Sequence, residues 1–187
     1  SSHRHPDHFN PVIFSWREKV PHIRYILSWD IPRQYHQGNI VMRPWERISP
    51  AEGISISTLK STDEGVAFLV ETDGLVIYHA GDLNWWHWEE ESKAWNNDMA
   101  ARFKREIDRL KGTRIDIAFL TMDPRQESYW YLGTEYFISN VGAKVIFPMH
   151  FWDDYSIMDA IEIKKAEQPG FRCIMPVPRR GACFELF

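Results

Sequence analysis

The segment Ser2-His3-Arg4-His5-Pro6-Asp7-His8 places three histidines and one aspartate within six residues. Neutral imidazole nitrogens and carboxylate oxygens are donors for zinc, iron and manganese, so a cluster this dense points to a transition-metal site. In extended chain His3 and His5 project to the same side and can share one ion. A turn at Pro6 then swings Asp7 and His8 towards a second. The alternative is an exposed histidine-rich terminus or an expression-tag remnant. Two further donors follow apolar strands: Asp82 comes after Leu75 to Tyr78, and His150 after Val145-Ile146-Phe147. The carboxyl ends of strands, beside loops, are where scaffolded sites lie. Read locally, each also has an ordinary explanation: a turn aspartate after Gly81, and a core or capping histidine.

His-x-His-x-Asp-His, followed by Ile77-Tyr78-His79-Ala80-Gly81-Asp82 and by Phe147-Pro148-Met149-His150, resembles the motif series of the metallo-β-lactamase-fold hydrolase superfamily. The resemblance implies two divalent ions, zinc first, with iron or manganese as alternatives. His3 and His5 hold one ion, Asp7, His8 and His150 hold the other, and Asp82 bridges them. A water shared by such ions has its pKa lowered from 15.7 to about 7, and a scissile carbonyl or phosphoryl oxygen is polarised. Asp7 and Asp82 are then the catalytic carboxylates, Asp7 orienting the water or passing its proton to the leaving group. Two departures from the family pattern are visible. A further histidine is expected in the loop before Asp82, but no histidine occurs between His36 and His79. Lys60 or Ser61 occupies that place, with Asp63 or His87 as substitutes. The motif also begins at residue 3, where the family has several strands of a first sheet ahead of it. The expectation is a chain lacking its first strands, completed by a missing N-terminal segment or by a second chain.

Asn84-Trp85-Trp86-His87-Trp88 directly follows Asp82. One reading makes Trp85, Trp86 and Trp88 walls of a substrate cleft with His87 as a proton donor or substrate contact; the other makes them, joined by Trp95, a hydrophobic plug packing the long helix on the sheet. Arg125, after another apolar strand, is either an anion-binding group or a surface arginine in a turn. Glu89-Glu90-Glu91 reads as solvated charge at a helix N-terminus.

The elements that must position these groups follow from patterning. Trp95, Met99, Phe103, Ile107 and Leu110 recur at helical spacing, which predicts a helix from Ser92 to Lys111 ended by Gly112. Further helices are expected over Val12 to Lys19, Tyr131 to Asn140 and Tyr155 to Glu167. Strands are expected over Arg24 to Trp29, Ile54 to Leu59, Val66 to Glu71, Leu75 to Tyr78, Ile115 to Thr121, Lys144 to Met149, Phe171 to Met175 and Ala182 to Phe187. Asp73-Gly74 reads as a hairpin turn. Hairpins followed by strand–helix alternation predict an α/β or α+β layered architecture. The resemblance narrows this to an αβ/βα sandwich, with residues 1–187 as a single domain.

At 44% apolar and 26% charged residues the chain can bury a core, which excludes disorder as its default state. The net charge of −4 argues against a polyanionic partner, so nucleic acid is an unfavoured substrate and a small molecule the favoured one. No apolar run reaches the ~18 residues that span a bilayer. The two cysteines, Cys173 and Cys183, read as buried small hydrophobes rather than a disulfide, which fits a reducing cytoplasm. The functional expectation is a metal-dependent hydrolase of a small ester, lactone, thioester or phosphodiester. The alternatives are a non-catalytic metal- or ligand-binding protein on the same fold, and a nuclease or phosphodiesterase.

Overall fold

The computed structural model describes residues 1–186. Its centre is a six-stranded sheet of β3 (Arg47–Ala51), β4 (Ile54–Lys60), β5 (Val66–Thr72), β6 (Leu75–His79), β7 (Ile117–Thr121) and β8 (Val145–Met149), ordered as in sequence. The strands from β3 to β6 are antiparallel, and β6, β7 and β8 run parallel. Tight turns join the antiparallel strands; at Asp73-Gly74 both residues are left-handed (φ 50° and 77°), the twist a two-residue hairpin needs. Parallel neighbours need long crossovers, supplied by helix α1 (Lys93–Ile107) and helix α2 (Leu132–Asn140), while α3 (Ser156–Glu167) follows β8.

Strand register sorts the side chains into two faces. Leu59, Ala67, Leu69, Tyr78, Ala118, Leu120 and Ile146 line the helical face, where Phe103 and Ile107 of α1, Phe137 of α2 and Ile161 of α3 cover them. Tyr78 stacks on Phe137 at 5.5 Å. On the opposite face Phe68, Val70, Ile77, Ile117, Phe119 and Val145 are only half-buried. A shorter parallel pair, β1 (Ile26–Ser28) and β2 (Ile40–Met42), carries its own apolar cluster of Phe9, Tyr25, Leu27 and Ile31.

α1 begins where Ser92 caps it, its Oγ accepting the Trp95 N–H at 3.2 Å. It ends earlier than its pattern predicts, passing through a 3₁₀ turn at Asp108–Leu110. The expected helix after Asn10 is a 3₁₀ helix, Pro11–Glu18, with no buried residue. The two C-terminal strands are corrected as well. Pro169–Cys173 winds into a 3₁₀ helix that buries Phe171, and only Ile174 bridges to Ile146. Residues 182–186 form no strand, and the Phe184 ring packs on that of Phe147 (4.9 Å); Phe187 lies outside the described residues. β2 and β3 are elements the patterning did not reveal: β2 has three residues, and β3 contains Pro50, which only an edge strand tolerates. The cysteines are not a buried pair. Both are free thiols, Cys173 half-buried and Cys183 exposed. Among the described residues no helix is long and apolar enough to cross a membrane.

Candidate metal centre

The histidine-rich segment is laced into the fold by its backbone. The Ser1 amino group donates to the Ile26 carbonyl (2.8 Å), Ser28 N–H to the Ser1 carbonyl (3.0 Å), and Val66 N–H to the Ser2 carbonyl (2.9 Å). Residues 1–2 thereby bridge β1 and the start of β5. Gly65 makes this approach feasible: it is left-handed (φ 70°), and a Cβ there would overlap the Ser2 carbonyl oxygen and lie 2.5 Å from His3 Cβ. The chain then turns at Pro6, with the N–H groups of His8 and Phe9 both donating to the His5 carbonyl (2.9 and 2.8 Å). The turn brings Asp7 and His8 back beside His3. Asp82 sits in the loop after β6, where its carbonyl accepts from Trp86 Nε1 (3.1 Å) and Thr62 Oγ1 (3.3 Å). His150 follows β8 with φ 66°.

These six side chains converge. Asp82 Oδ2 lies 3.2 Å from His3 Nε2, which is 3.1 Å from His5 Nδ1. Its other oxygen, Oδ1, lies 3.2 Å from His8 Nε2 and 3.5 Å from His150 Nε2. Asp7 Oδ2 faces the same two nitrogens at 3.4 and 3.8 Å. Two donor sets result, His3–His5–Asp82 and Asp7–His8–His150, each with its ligand atoms within 4.8 Å of one another. The far nitrogens of three rings are anchored: Ser2 Oγ stands 3.1 Å from His3 Nδ1 and 3.3 Å from His8 Nδ1, and Asp123 Oδ2 stands 3.0 Å from His150 Nδ1. Outer partners of this kind fix ring orientation and tautomer in metal sites.

The donors fit divalent ions. Asp82 is 3% exposed, and its Oδ1 has no hydrogen-bond partner among the described residues although two imidazole nitrogens face it. A buried carboxylate oxygen among converging nitrogens that do not donate to it is an arrangement a cation satisfies. Electrostatics favour ligation at His8 and Asp82, whereas at His150 burial acts downward but the carboxylates of Asp123 and Asp82 outweigh it and raise the imidazole above its ordinary value. Burial pushes the His8 imidazole below its ordinary value, towards the neutral form that ligates. For Asp82 burial acts upward, but the imidazoles of His3, His8 and His150 outweigh it and hold the carboxyl below the usual range. Asp123, fully buried, is likewise depressed: hydrogen bonds from His150 and Arg125 overcome its burial.

A cleft of about 410 Å³ opens over the cluster, reached by His5, Asp7, Asp82 and His150. Of the residues expected to contact substrate, Trp86, Trp88 and Arg125 line it. Trp85 does not: its ring turns into the helical core against Phe103 (6.3 Å) and Tyr136 (6.5 Å), under Lys104. His87 also points elsewhere, its ring lying 3.9 Å from that of Tyr129 over a separate small cavity. At the place of the absent histidine, Lys60 is exposed and Ser61 Oγ accepts the Asp63 N–H (3.1 Å). Asp63 itself lines the cleft, 3.8 Å from His5 Nδ1. His79, despite its neighbours, is outside both donor sets: its Nδ1 accepts the Gly81 N–H (3.1 Å), and burial lowers its pKa to about 4. Sequence reasoning missed Ser2, Asp123, Trp95 and Trp152. Asp123 had a signal, since it follows β7 by two residues just as Asp82 follows β6 by three.

No family model matches the chain, and no curated protein matches it by sequence. Solved structures do. Igni18, a metallo hydrolase from the archaeon Ignicoccus hospitalis, is 16% identical over 94% of this chain and 73% of its own, with a TM-score of 0.60. A Thermotoga maritima protein of the metallo-β-lactamase superfamily is 16% identical over 70% of this chain (TM-score 0.42). Zn²⁺-bound PqqB from Methylobacterium extorquens is 14% identical over 74% (TM-score 0.38). The chain spans 60% and 51% of the length of these last two. The architecture is a metallo-β-lactamase-type α/β fold, and at these identities the likeness concerns the fold alone.

Proposed function

We propose that this chain is a metal-dependent hydrolase of a small molecule carrying an ester, lactone, thioester or phosphodiester bond. One observation carries the reading: Asp82 presents its two oxygens to two separate donor sets, as a carboxylate bridging a pair of ions does. His3 and His5 would hold the first ion, Asp7, His8 and His150 the second, with zinc as the favoured metal and iron or manganese as alternatives. Bound there, a pair of divalent ions would supply water activation near neutral pH and polarisation of the scissile oxygen.

The chain's own groups do the rest. Ser2 and Asp123 keep three imidazoles aimed inward. Asp7, exposed at the cleft and facing His8 and His150, orients the attacking water and carries a proton to the leaving group. Arg125 spends Nε and Nη2 on Asp123, and its remaining edge faces an anionic part of the substrate. A second reading, a binding protein without turnover, draws on the sparse first site, where the carboxylates beside His3, His5 and Asp82 are Asp63, 3.8 Å from His5 Nδ1, and Glu64, 3.5 Å from His5 Nε2 and already paired with Arg4.

Metal analysis of the reconstituted protein, with rates on a panel of esters, lactones, thioesters and phosphodiesters for wild type and His8→Ala, tests the proposal. Two equivalents per chain and a rate abolished by the substitution are expected. One weakly held ion with no turnover favours the binding protein, and equal rates for both proteins on every compound remove the catalytic claim.

A further inference from the structure

The cleft over the donor sets carries far more aromatic surface than hydrolysis itself requires. On one wall Trp86 and Trp88 lie nearly parallel, 7° apart with centroids at 5.9 Å, and the Trp86 ring meets that of His150 edge-on at 5.5 Å. The first turns of α1 add Trp95 and Met99. Trp152, 55% exposed, lines the cleft as well, its ring 5.3 Å from that of His150. It stands there because of its backbone: His150, Trp152 and Asp153 all have left-handed φ (66°, 53° and 59°), a conformation that bulky residues adopt only when the surroundings impose it. One strained loop thus presents both a metal-ligating histidine and an exposed tryptophan. The Arg125 guanidinium lies over the Trp152 ring at 4.8 Å, extending that flat surface. Aromatic surface is therefore continuous from the His150 ring to the mouth of the cleft.

We infer that this cleft is a specificity pocket for a flat aromatic group carried next to the scissile bond. The inference rests on the hydrolase reading for what lies beside the group, and on the geometry above for the group itself. An aliphatic body of equal size fills the same volume, but only a π-system also gains ring-on-ring contact, roughly two- to tenfold in affinity per ring pair. With more than one wall engaged, a preference of about tenfold or more for the aromatic ligand follows. At about 410 Å³ the cleft is of small-ligand size, with room for a fused bicyclic ring.

The test compares 2-naphthoate with its saturated decahydro analogue, which has the same carbon skeleton and charge, by titration calorimetry on the zinc-loaded protein. Naphthoate is expected to bind at least tenfold more tightly. Trp88→Ala and Trp95→Ala should each reduce that ratio two- to tenfold, and Trp88→Phe should restore most of it. Equal affinities in wild type, or variants that weaken both ligands alike, overturn the inference. Hydrolysis of the two methyl esters separates this result from failure of the underlying reading. An aromatic binding preference without metal-dependent turnover removes the hydrolase reading and leaves the pocket. Turnover of both esters at equal kcat/KM removes the pocket and leaves the hydrolase.

Discussion

Asp123→Asn is the sharpest probe of how the centre is held together. The Asp123 side chain is fully buried and accepts from His150 Nδ1 at 3.0 Å, from the Arg125 backbone N–H at 2.9 Å and from Arg125 Nε at 2.9 Å. Asparagine keeps the volume and one acceptor oxygen but gives up the charge. A hydrogen bond to a charged group is worth about 1.5–3 kcal/mol and a neutral one about 0.5–1.5 kcal/mol, so the His150 anchor weakens by about 1–1.5 kcal/mol. At 1.4 kcal/mol per decade this is about tenfold in metal affinity, the lower end of the 10–100-fold typical of lost outer-shell partners. The loss should fall on the ion bound by Asp7, His8 and His150. The His3–His5 side, anchored through Ser2, should be affected much less. Competition with a chromophoric chelator resolves the two stepwise constants, and circular dichroism with a thermal scan verifies folding. Two unchanged constants in a folded Asp123→Asn protein would refute the claim that Asp123 orients His150.

Gly65→Ala should be among the most damaging single-methyl changes in the chain, because the new Cβ meets the Ser2 carbonyl and His3 Cβ as well as the left-handed backbone cost. Gly53→Ala shares the positive φ (72°) but opens onto free space, so it should lose only about 1 kcal/mol, or roughly 2–4 °C in Tm, with metal stoichiometry intact. Equal Tm and equal stoichiometry for the two variants would contradict the packing of the first residues on β5. Asp116 gives a prediction in pH. Its carboxyl is held below the ordinary range chiefly by Lys144 (2.7 Å), with help from the Val76 N–H (2.9 Å). The stability it contributes is complete above the unfolded carboxylate value of about 3.9 and disappears as pH falls through the lower folded value. Asp116→Asn should therefore lower Tm at pH 7 and narrow its gap to wild type near pH 2; a gap that does not depend on pH would show that the carboxylate charge is not what matters.

The chain's own pattern determined a good deal. His-x-His-x-Asp-His marked a cluster of potential metal donors because donor chemistry is written in residue type, and its i, i+2 spacing already implied which two histidines share a side. The principal strands and helices were legible wherever the apolar period was strong, as along Trp95, Met99, Phe103 and Ile107. Where competing local signals were weak, as in the three residues of β2 or the proline-bearing β3, tertiary pairing alone created the element.

Only the folded chain decided which side chains meet. Asp82 and His150 are ordinary turn and strand-end residues until β6 and β8 are placed in one sheet, 68 positions apart in sequence but sharing an edge. Trp85 and Trp86 are adjacent and identical in type, yet one faces the core and the other the cleft, since a loop's turn geometry sets direction and composition does not. Ser2 was invisible as an anchor and Asp123 was marked only by its place after β7: an outer partner is defined by a distance to a ring nitrogen, which no one-dimensional spacing encodes.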